Sequence, residues 1–593
     1  MTIKRFFLAA FCMLAVSLAN AQTATIKGFV YAAENGEPIP FASVFLKGTT
    51  FASFTDINGY YSMVKVPPGK YRVMATTLGY DTAFADVELI ADEMENRKLV
   101  MKKKNVELKQ VEVSAERQTK KTEVKIAVES VTPQEIKSLP SLGAEGDLVQ
   151  YMQVVPGVVS SGDQGGQLYI RGGTPVQNKV LLDGMVIYNP FHSIGLFSVF
   201  DTDILKNTDV YTAGFGAQYG GRISSVMDIT TRDGNKKRIG GKVSTGTFLS
   251  KVLLEGPIKK AKDENDGTAS FIFSVKNSYL DQTSKSIYKY ASDDGLPYSF
   301  NDIYGKVVIN SASGSKVSFF GFNFLDKVNY SKVAKYDWSS SGGGMNFVLV
   351  PGASKVLLRG NLAFSSYKIK LTEAEEKPRS SLVNGFNMGF NWLYFLNNDE
   401  INYGIEVQGF KTDFEYFNYA KRQINQTENT TEIGIFFRYK KIINKLIIDP
   451  SVRLQYYASI SEFSPEPRLG LKYNLSDNIR LKAAGGLYAQ NLIAANSDRD
   501  VVNFFYGFLS APDDLPSEFD GKSIKKKLQL ARHAVVGIEY DINKYFDINI
   551  EGYIKDFNQL TNINRDKVYD DTANNFDKPD SVKKSFIIEK GFT

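Results

Sequence analysis

Beyond Arg238 the chain settles into one repeated texture, in which large apolar side chains occupy every second position of short stretches. In Phe386-Asn-Met-Gly-Phe-Asn-Trp-Leu-Tyr394, the residues Phe386, Met388, Phe390, Trp392 and Tyr394 share one face, with Asn387, Gly389 and Asn391 opposite. Ile401-Asn-Tyr-Gly-Ile-Glu-Val-Gln408 and Leu469-Gly-Leu-Lys-Tyr-Asn-Leu475 repeat the pattern. A period of two belongs to strands with two unlike faces. In water, such a sheet must fold its aromatic face onto a second layer. In a bilayer the same face meets lipid, and the polar face lines a wet lumen. More than 350 residues of these strands are too many to find sandwich partners within one chain. A large antiparallel transmembrane β-barrel is therefore expected.

Composition agrees. Aromatics reach 13%, with 41 Phe and 32 Tyr against 2 Trp, and 48 glycines supply turns; aromatic girdles are expected where a barrel meets the membrane interfaces. No second long apolar run follows the N-terminus, which excludes a helical membrane protein. Short turns such as Ser476-Asp-Asn478 alternate with long polar insertions such as Ala494 to Lys527, the asymmetry of periplasmic turns and extracellular loops. The net charge of +6 comes from 71 basic and 65 acidic residues spread along the chain. No basic cluster marks a nucleic-acid footprint.

The first 21 residues read as an export signal. Lys4-Arg5 supply the charged start, Phe6 to Leu18 the apolar run, and Ala19-Asn20-Ala21 the cleavage site. The one cysteine, Cys12, falls inside it; Phe11 is too bulky for a lipoprotein cleavage site before Cys12. The mature chain then contains no thiol chemistry.

Residues 22–102 read as a small β-sandwich. Ile26–Tyr31, Ala42–Leu46, Tyr60–Val64 and Tyr71–Ala75 are strand candidates, punctuated by Asn35-Gly36, Asp56-Ile-Asn-Gly59 and Pro67-Pro-Gly69. Residues 103–122 are a lysine-rich linker. Within it, Val111-Glu112-Val113-Ser114-Ala115 alternates and suits donation as an edge strand to another sheet, a first strand of the domain that follows, or plain linker.

Residues 123–234 carry the densest motifs. Val180-Leu-Leu and Met185-Val-Ile are apolar runs joined by Asp183-Gly184, a strong hairpin signal. Gly172-Gly173 after Arg171, and Gly220-Gly221 before Arg222, mark tight turns that each carry one arginine. Thr132-Pro-Gln-Glu135 predicts a capped helix start, and Gly146 to Val155 a short amphipathic helix ended by Pro156-Gly157.

Ile170-Arg-Gly-Gly173, Leu181-Leu-Asp-Gly184 and Tyr219-Gly-Gly-Arg222 together resemble the plug domain of TonB-dependent outer-membrane receptors. Thr55-Asp-Ile-Asn-Gly-Tyr-Tyr61 and Pro67-Pro-Gly-Lys-Tyr71 look like the carboxypeptidase-regulatory-like domain that often precedes them. The resemblance implies a mainly β protein: a sandwich, an α+β plug and a plugged barrel over 235–593. It implies that Val111 to Ala115 is the TonB box, captured by TonB and its inner-membrane energising complex. The Asn189-Pro-Phe-His-Ser segment is typical of a Bacteroidetes-like branch. Its departure from the SusC-like plug ending argues against a SusD-type lipoprotein partner. About fourteen or fifteen strand candidates follow Arg238, where a barrel wide enough for a plug has about 22. The sequence is thus expected to be C-terminally incomplete, by roughly 200 residues on that strand count.

Catalysis has little material: the mature chain has two histidines, His192 and His533, without ligand spacing, so no enzyme activity, metal or cofactor is expected. Gly214-Phe-Gly-Ala-Gln-Tyr-Gly220 matches a dinucleotide fingerprint only formally, since no Rossmann helix and acidic residue follow. The expected site is mechanical. Arg171 and Arg222 would face the lumen, where Glu406 and Glu539 point if the alternation holds, and latch plug to barrel. The plainer reading is that either arginine bonds turn carbonyls. The expected function is active import of a ferric siderophore, vitamin, peptide or oligosaccharide across outer-membrane lipid. The alternative is a non-transporting adhesion or secretion-associated barrel with a partner-binding sandwich.

Overall fold

The structure is a computed structural model that describes residues 23–104, 123–160, 167–495, 505–563 and 586–593, apart from short breaks at 78, 125, 140–145, 193–194, 196, 264–265, 288, 290–294, 331–332, 353, 374–376, 397–398, 418–422, 506, 511–514, 516, 520, 525 and 544–545. The export signal and the segment Val111 to Ala115 lie outside the described residues.

The N-terminal unit is the expected two-layer β domain. One sheet is centred on the strand Ala24–Ala32, which pairs with Tyr60–Val66, Met94–Asn96 and Leu99–Met101. The other runs Ala52–Phe54, Ser43–Leu46, Gly69–Thr76, Ala83–Leu89. Ile26, Val44, Tyr61, Val73 and Leu89 close the core between them.

The second unit contains the plug and the large sheet. The plug is a five-stranded mixed sheet, in the order Met185–Val186, Asn178–Leu182, Ser225–Thr231, Leu205–Tyr211, Val128–Val131. The Asp183-Gly184 turn is the predicted hairpin: both residues are left-handed, at φ 50° and 83°, between the paired strands Leu181↔Val186 and Leu182↔Met185. The helix Pro133–Ser138 begins on Thr132 with both halves of a capping box. The second predicted helix is shorter than its pattern and runs only Leu148–Met152. Its start is set by Asp147, whose carboxylate accepts from the Val149 and Gln150 amides and also from the Ser198 amide and hydroxyl.

Among the described residues, sixteen antiparallel strands, from Gly240–Thr245 to Phe586–Phe592, follow one another in chain order. That is one or two more than the alternation signals. Among the described residues the first and last of them are not paired with each other. The sheet is inverted relative to a water-soluble layer. On the strand Ile479–Gln490, Leu481 and Leu487 face outward and exposed while Arg480 and Lys482 are buried. On Asp547–Ile563, Ile548, Ile550 and Ile554 are exposed and Lys555 is 0% exposed. A face that shows isoleucine to the surroundings and buries lysine is stable only where the surroundings are hydrocarbon. Strands from the second to the fifteenth all touch the plug, so the sheet wraps around it. The plug core continues into the wall, with Met185, Met227 and Ile229 in one cluster with Leu253, Ile272, Phe320 and Phe322. The insertion expected as an extracellular loop is partly drawn inward: Leu492–Ala494 pairs with Phe508–Ser510, and Phe508 packs on plug residue Tyr188.

Candidate functional site

The seat of the plug is the candidate site, and its commonest contact has no counterpart in a sequence motif. Side chains of the barrel reach inward and donate to backbone carbonyls of the plug. Arg468 Nη1 bonds the carbonyls of Gly216 at 2.5 Å and Tyr219 at 2.7 Å. Lys555 Nζ bonds those of Ile170 at 3.0 Å and Ser224 at 3.1 Å. Lys276 takes Ser198, Lys306 takes Thr231, and Gln490 takes Val176. Asn346 and Asn387 clasp the carbonyls of the Asp183-Gly184 turn, at 2.8 and 3.0 Å. Each such bond contributes only about 0.5–1.5 kcal/mol net, or somewhat more when the donor is charged, but an orphaned buried partner costs about 1–3.

This grip explains the glycines. The turn at Arg171-Gly172 holds both residues left-handed, at φ 45° and 76°, which closes the reciprocal bonds between Ile170 and Gly173. Gly173 lies against Ser224 so closely that a Cβ would collide with its hydroxyl. Gly220 packs against the guanidinium of barrel residue Arg453, which also leaves no room for a Cβ at Gly434. Gly221 is left-handed at φ 74°, beside the Glu432 carboxylate.

The two motif arginines part ways. Arg171 is buried and forms a 2.7 Å ion pair with Glu551, with its guanidinium 4.7 Å above the Tyr553 ring. Arg222 bonds the Gly221 carbonyl at 2.6 Å, with Glu432 within electrostatic reach. The two glutamates also differ from the expected pairing. Glu406 does meet the plug, but through Lys179 at 3.3 Å, and it shares the barrel's Arg453 at 2.7 Å. Glu539 bonds Arg480 and Lys482 at 2.8 and 2.7 Å, both on the neighbouring barrel strand, with Lys472 at 3.7 Å. It braces the wall instead of gripping the plug. The strand register decides this: Arg480 lies directly across from Glu539, so the carboxylate is claimed before it can reach inward. Lys179 and Glu551 lacked any motif to single them out; the only trace was their place on alternating strands.

Two further clusters complete the seat. Plug residues Asp201 and Asp203 receive barrel Lys251, at 2.8 and 2.5 Å, and Asp203 also pairs with Lys242 and Lys137. Burial raises the Asp203 carboxyl, but Lys251, Lys137 and Lys242 outweigh it and hold it well below the usual carboxylate range. His533 is a satisfied structural histidine: Nε2 lies 2.8 Å from the Ile223 carbonyl, and Nδ1 accepts from the Gly214 amide. The formal dinucleotide fingerprint is the stretch of plug backbone that Arg468 and Tyr488 bond. Among the described residues no His, Cys, Asp and Glu group is arranged to hold a metal ion.

Inside the plug, Asp209 and Asp228 are direct cross-strand partners, an arrangement that like charges disfavour. Asp209 accepts from Ser130, and Asp228 from the Tyr219 hydroxyl at 2.7 Å. Burial, with Asp209 and Asp183 adding to it against the Tyr219 bond, pushes the Asp228 carboxyl up to about 6. A carboxyl raised on folding favours the native state least where it must ionise, so its penalty is absent below the unfolded value near 3.8, grows between that value and about 6, and is complete above it. Asp228→Asn keeps an acceptor for Tyr219 and removes the charge. It is expected to stabilise the plug by about 1–3 kcal/mol at pH 7.5 and by almost nothing at pH 3. Hydrogen exchange of the strand Ser225–Thr231 reads this opening free energy; equal gains at both pH values would refute it.

An inverted antiparallel sheet filled by a mixed α+β domain defines a plugged outer-membrane-type barrel. Two domain families match the chain: the CarboxypepD_reg-like domain over residues 26–113, and the TonB-dependent Receptor Plug Domain over 120–226. Among curated proteins it is similar to TonB-dependent receptor P3 of Formosa agariphila, 25% identical over 246 residues, which cover 41% of this chain and 24% of that one. It is also similar to TonB-dependent receptor SusC of Bacteroides thetaiotaomicron, 30% identical over 226 residues, covering 36% of this chain and 22% of that one. The chain thus spans under a quarter of the length of these two relatives. Among solved structures it shares the fold of the siderophore receptor PirA from Pseudomonas aeruginosa, with a TM-score of 0.55 at 13% identity, over 79% of this chain and 80% of that one.

Proposed function

We propose that this chain is an outer-membrane importer in which TonB, energised from the inner membrane, pulls on the plug and opens a path for a scarce nutrient too large for passive pores. The observation that carries the reading is the seat itself. The plug is held in the lumen by many separate bonds, to its backbone as well as to its side chains, beside an apolar contact with part of the wall. Bonds of this kind yield one after another to a pull from one end, while the hydrocarbon-facing wall stays intact. Val111 to Ala115 stands just ahead of the plug in the chain, where a partner's sheet can take it as an added strand. The N-terminal sandwich is then a periplasmic domain.

The test is deletion of residues 107–116 in cells that otherwise express the full protein. Uptake is expected to fall to the level of a knockout while ligand binding at the surface is unchanged. Unchanged uptake would instead favour an adhesion or secretion-associated barrel whose plug never moves. Growth of the knockout on defined iron, vitamin, peptide and glycan sources assigns the cargo.

A further inference from the structure

His192 lies in the Asn189-Pro-Phe-His-Ser segment of the plug, and the fold gives it surroundings that no part of the seat described above requires. The ring is 1% exposed. Its Nε2 is 2.9 Å from Asp302, and its Nδ1 is 3.5 Å from Asp326, on the two adjacent barrel strands Tyr298–Asn310 and Lys316–Tyr330. One face stacks on Phe300 at 3.8 Å and 9°. From a third strand, Lys276 bonds Asp302 at 3.0 Å and the Ser198 carbonyl at 2.8 Å. The segment is pinned in turn by its own backbone, with the His192 amide on the Phe197 carbonyl and the Val199 amide on that of Pro190.

Carboxylates only accept hydrogen bonds when ionised, and a neutral imidazole has one N–H and one bare lone pair. With a carboxylate facing each nitrogen, the neutral ring must set its lone pair against one of them. Only the doubly protonated ring meets both carboxylates favourably, as a hydrogen bond to Asp302 and as a longer ion pair with Asp326. Phe300 adds the aromatic face that a flat cation prefers. The charges close as well: His192 and Lys276 balance Asp302 and Asp326, and removing one proton leaves a buried excess of negative charge.

We propose that His192 is a proton-dependent positioning residue, which anchors this plug segment to the barrel between Asp302 and Asp326 and lets it go when the ring loses its proton. Burial works against the charge, but Asp302 and Asp326 outweigh it and raise the imidazole above its ordinary 6.5. The sign follows: the anchor is complete below 6.5 and weakens as pH rises through the higher folded value. Asp302, Asp326 and Lys276 are the charged groups that face the ring from the described strands. The inference concerns how the plug is held and is independent of the cargo.

The experiment is hydrogen exchange on the full chain in detergent from pH 5.5 to 9.5, corrected for the intrinsic rise of exchange with pH. In the unaltered protein the His192, Ser198 and Val199 amides are expected to lose protection as pH rises, because each pH unit that separates the folded imidazole from the unfolded one is worth a decade in the opening equilibrium. That step should lie above pH 6.5, while the barrel strand Val356–Glu373 stays flat. His192→Gln should be poorly protected throughout and show no step. Asp326→Asn should move the step to lower pH. A flat profile in the unaltered protein overturns the proposal without any variant having to fold, and so does a step that survives in His192→Gln or stays in place in Asp326→Asn.

Discussion

Gly220→Leu is expected to leave the barrel folded and unseat its plug. Gly220 is not in a left-handed conformation, so the effect comes from volume alone. Its Cβ would occupy the place of the Arg453 guanidinium. That group is 1% exposed and bonds Gln455, Glu406 and the Ala217 carbonyl at 2.6, 2.7 and 3.3 Å. It cannot retreat toward the wall, because Gly434 has no Cβ for the same reason. Moving it leaves Glu406 with the weaker contact to Lys179. Breaking a buried charge cluster from one side costs about 3–5 kcal/mol. The measurement is hydrogen exchange on the plug strands Leu205–Tyr211 and Ser225–Thr231, with the wall strand Lys316–Tyr330, remote from Arg453 in the sheet order, as the reference. Protection should collapse in the plug and persist in the wall, and Gly434→Leu should reproduce the result from the barrel side. A plug that stays protected in both variants would mean that Arg453 is not part of its seat.

Glu551→Gln should be nearly as damaging by a different route. It leaves Arg171, which is 7% exposed, without its carboxylate, although glutamine still offers an acceptor to the Ala127 amide that Glu551 serves at 3.0 Å. The expected loss is about 3–5 kcal/mol of plug stability, most of it the penalty of an unpaired buried charge. Adding Arg171→Met removes that charge, so the double variant should recover most of the loss. The coupling between the two sites, read from the four-member cycle by denaturant midpoints of plug protection, should be about 2 kcal/mol or more, in the range of residues in direct contact. Additive losses would show that the two side chains do not act as a latch. Glu539→Gln is the informative contrast. Its partners are all on the wall, and the plug should hardly register the change.

Several parts of this arrangement are visible in the chain before folding. The Asp183-Gly184 hairpin, the capped start at Thr132 and the alternation from Phe386 to Tyr394 depend on neighbours within a few residues, so their chemistry is written locally. The glycines of Ile170-Arg-Gly-Gly173 and Tyr219-Gly-Gly-Arg222 are readable as tight places, but what makes them tight is not. Ser224, Arg453 and Glu432 come from elsewhere in the chain. Glu406 was reachable from its strand phase, while Glu539 on an equally good phase is held by Arg480 across the ladder. The shorter helix at Leu148–Met152 has a similar cause, because Asp147 serves the helix and Ser198 together.

His192 shows the limit most clearly. One histidine in a turn-rich segment has no signature, and its character comes from two aspartates on strands more than a hundred residues away. The carbonyl grip is less legible still. A backbone acceptor belongs to every residue alike, so nothing in the plug's side chains announces that Lys555, Arg468 or Asn387 will bond it. What the chain decided alone is therefore the period-two wall and the turns, since local sterics and the preference of each face for lipid or water suffice for both. Which lumen charge meets which point of the plug was decided only by the folded register, because that pairing depends on distances between segments that touch only after the wall has closed on the domain inside it.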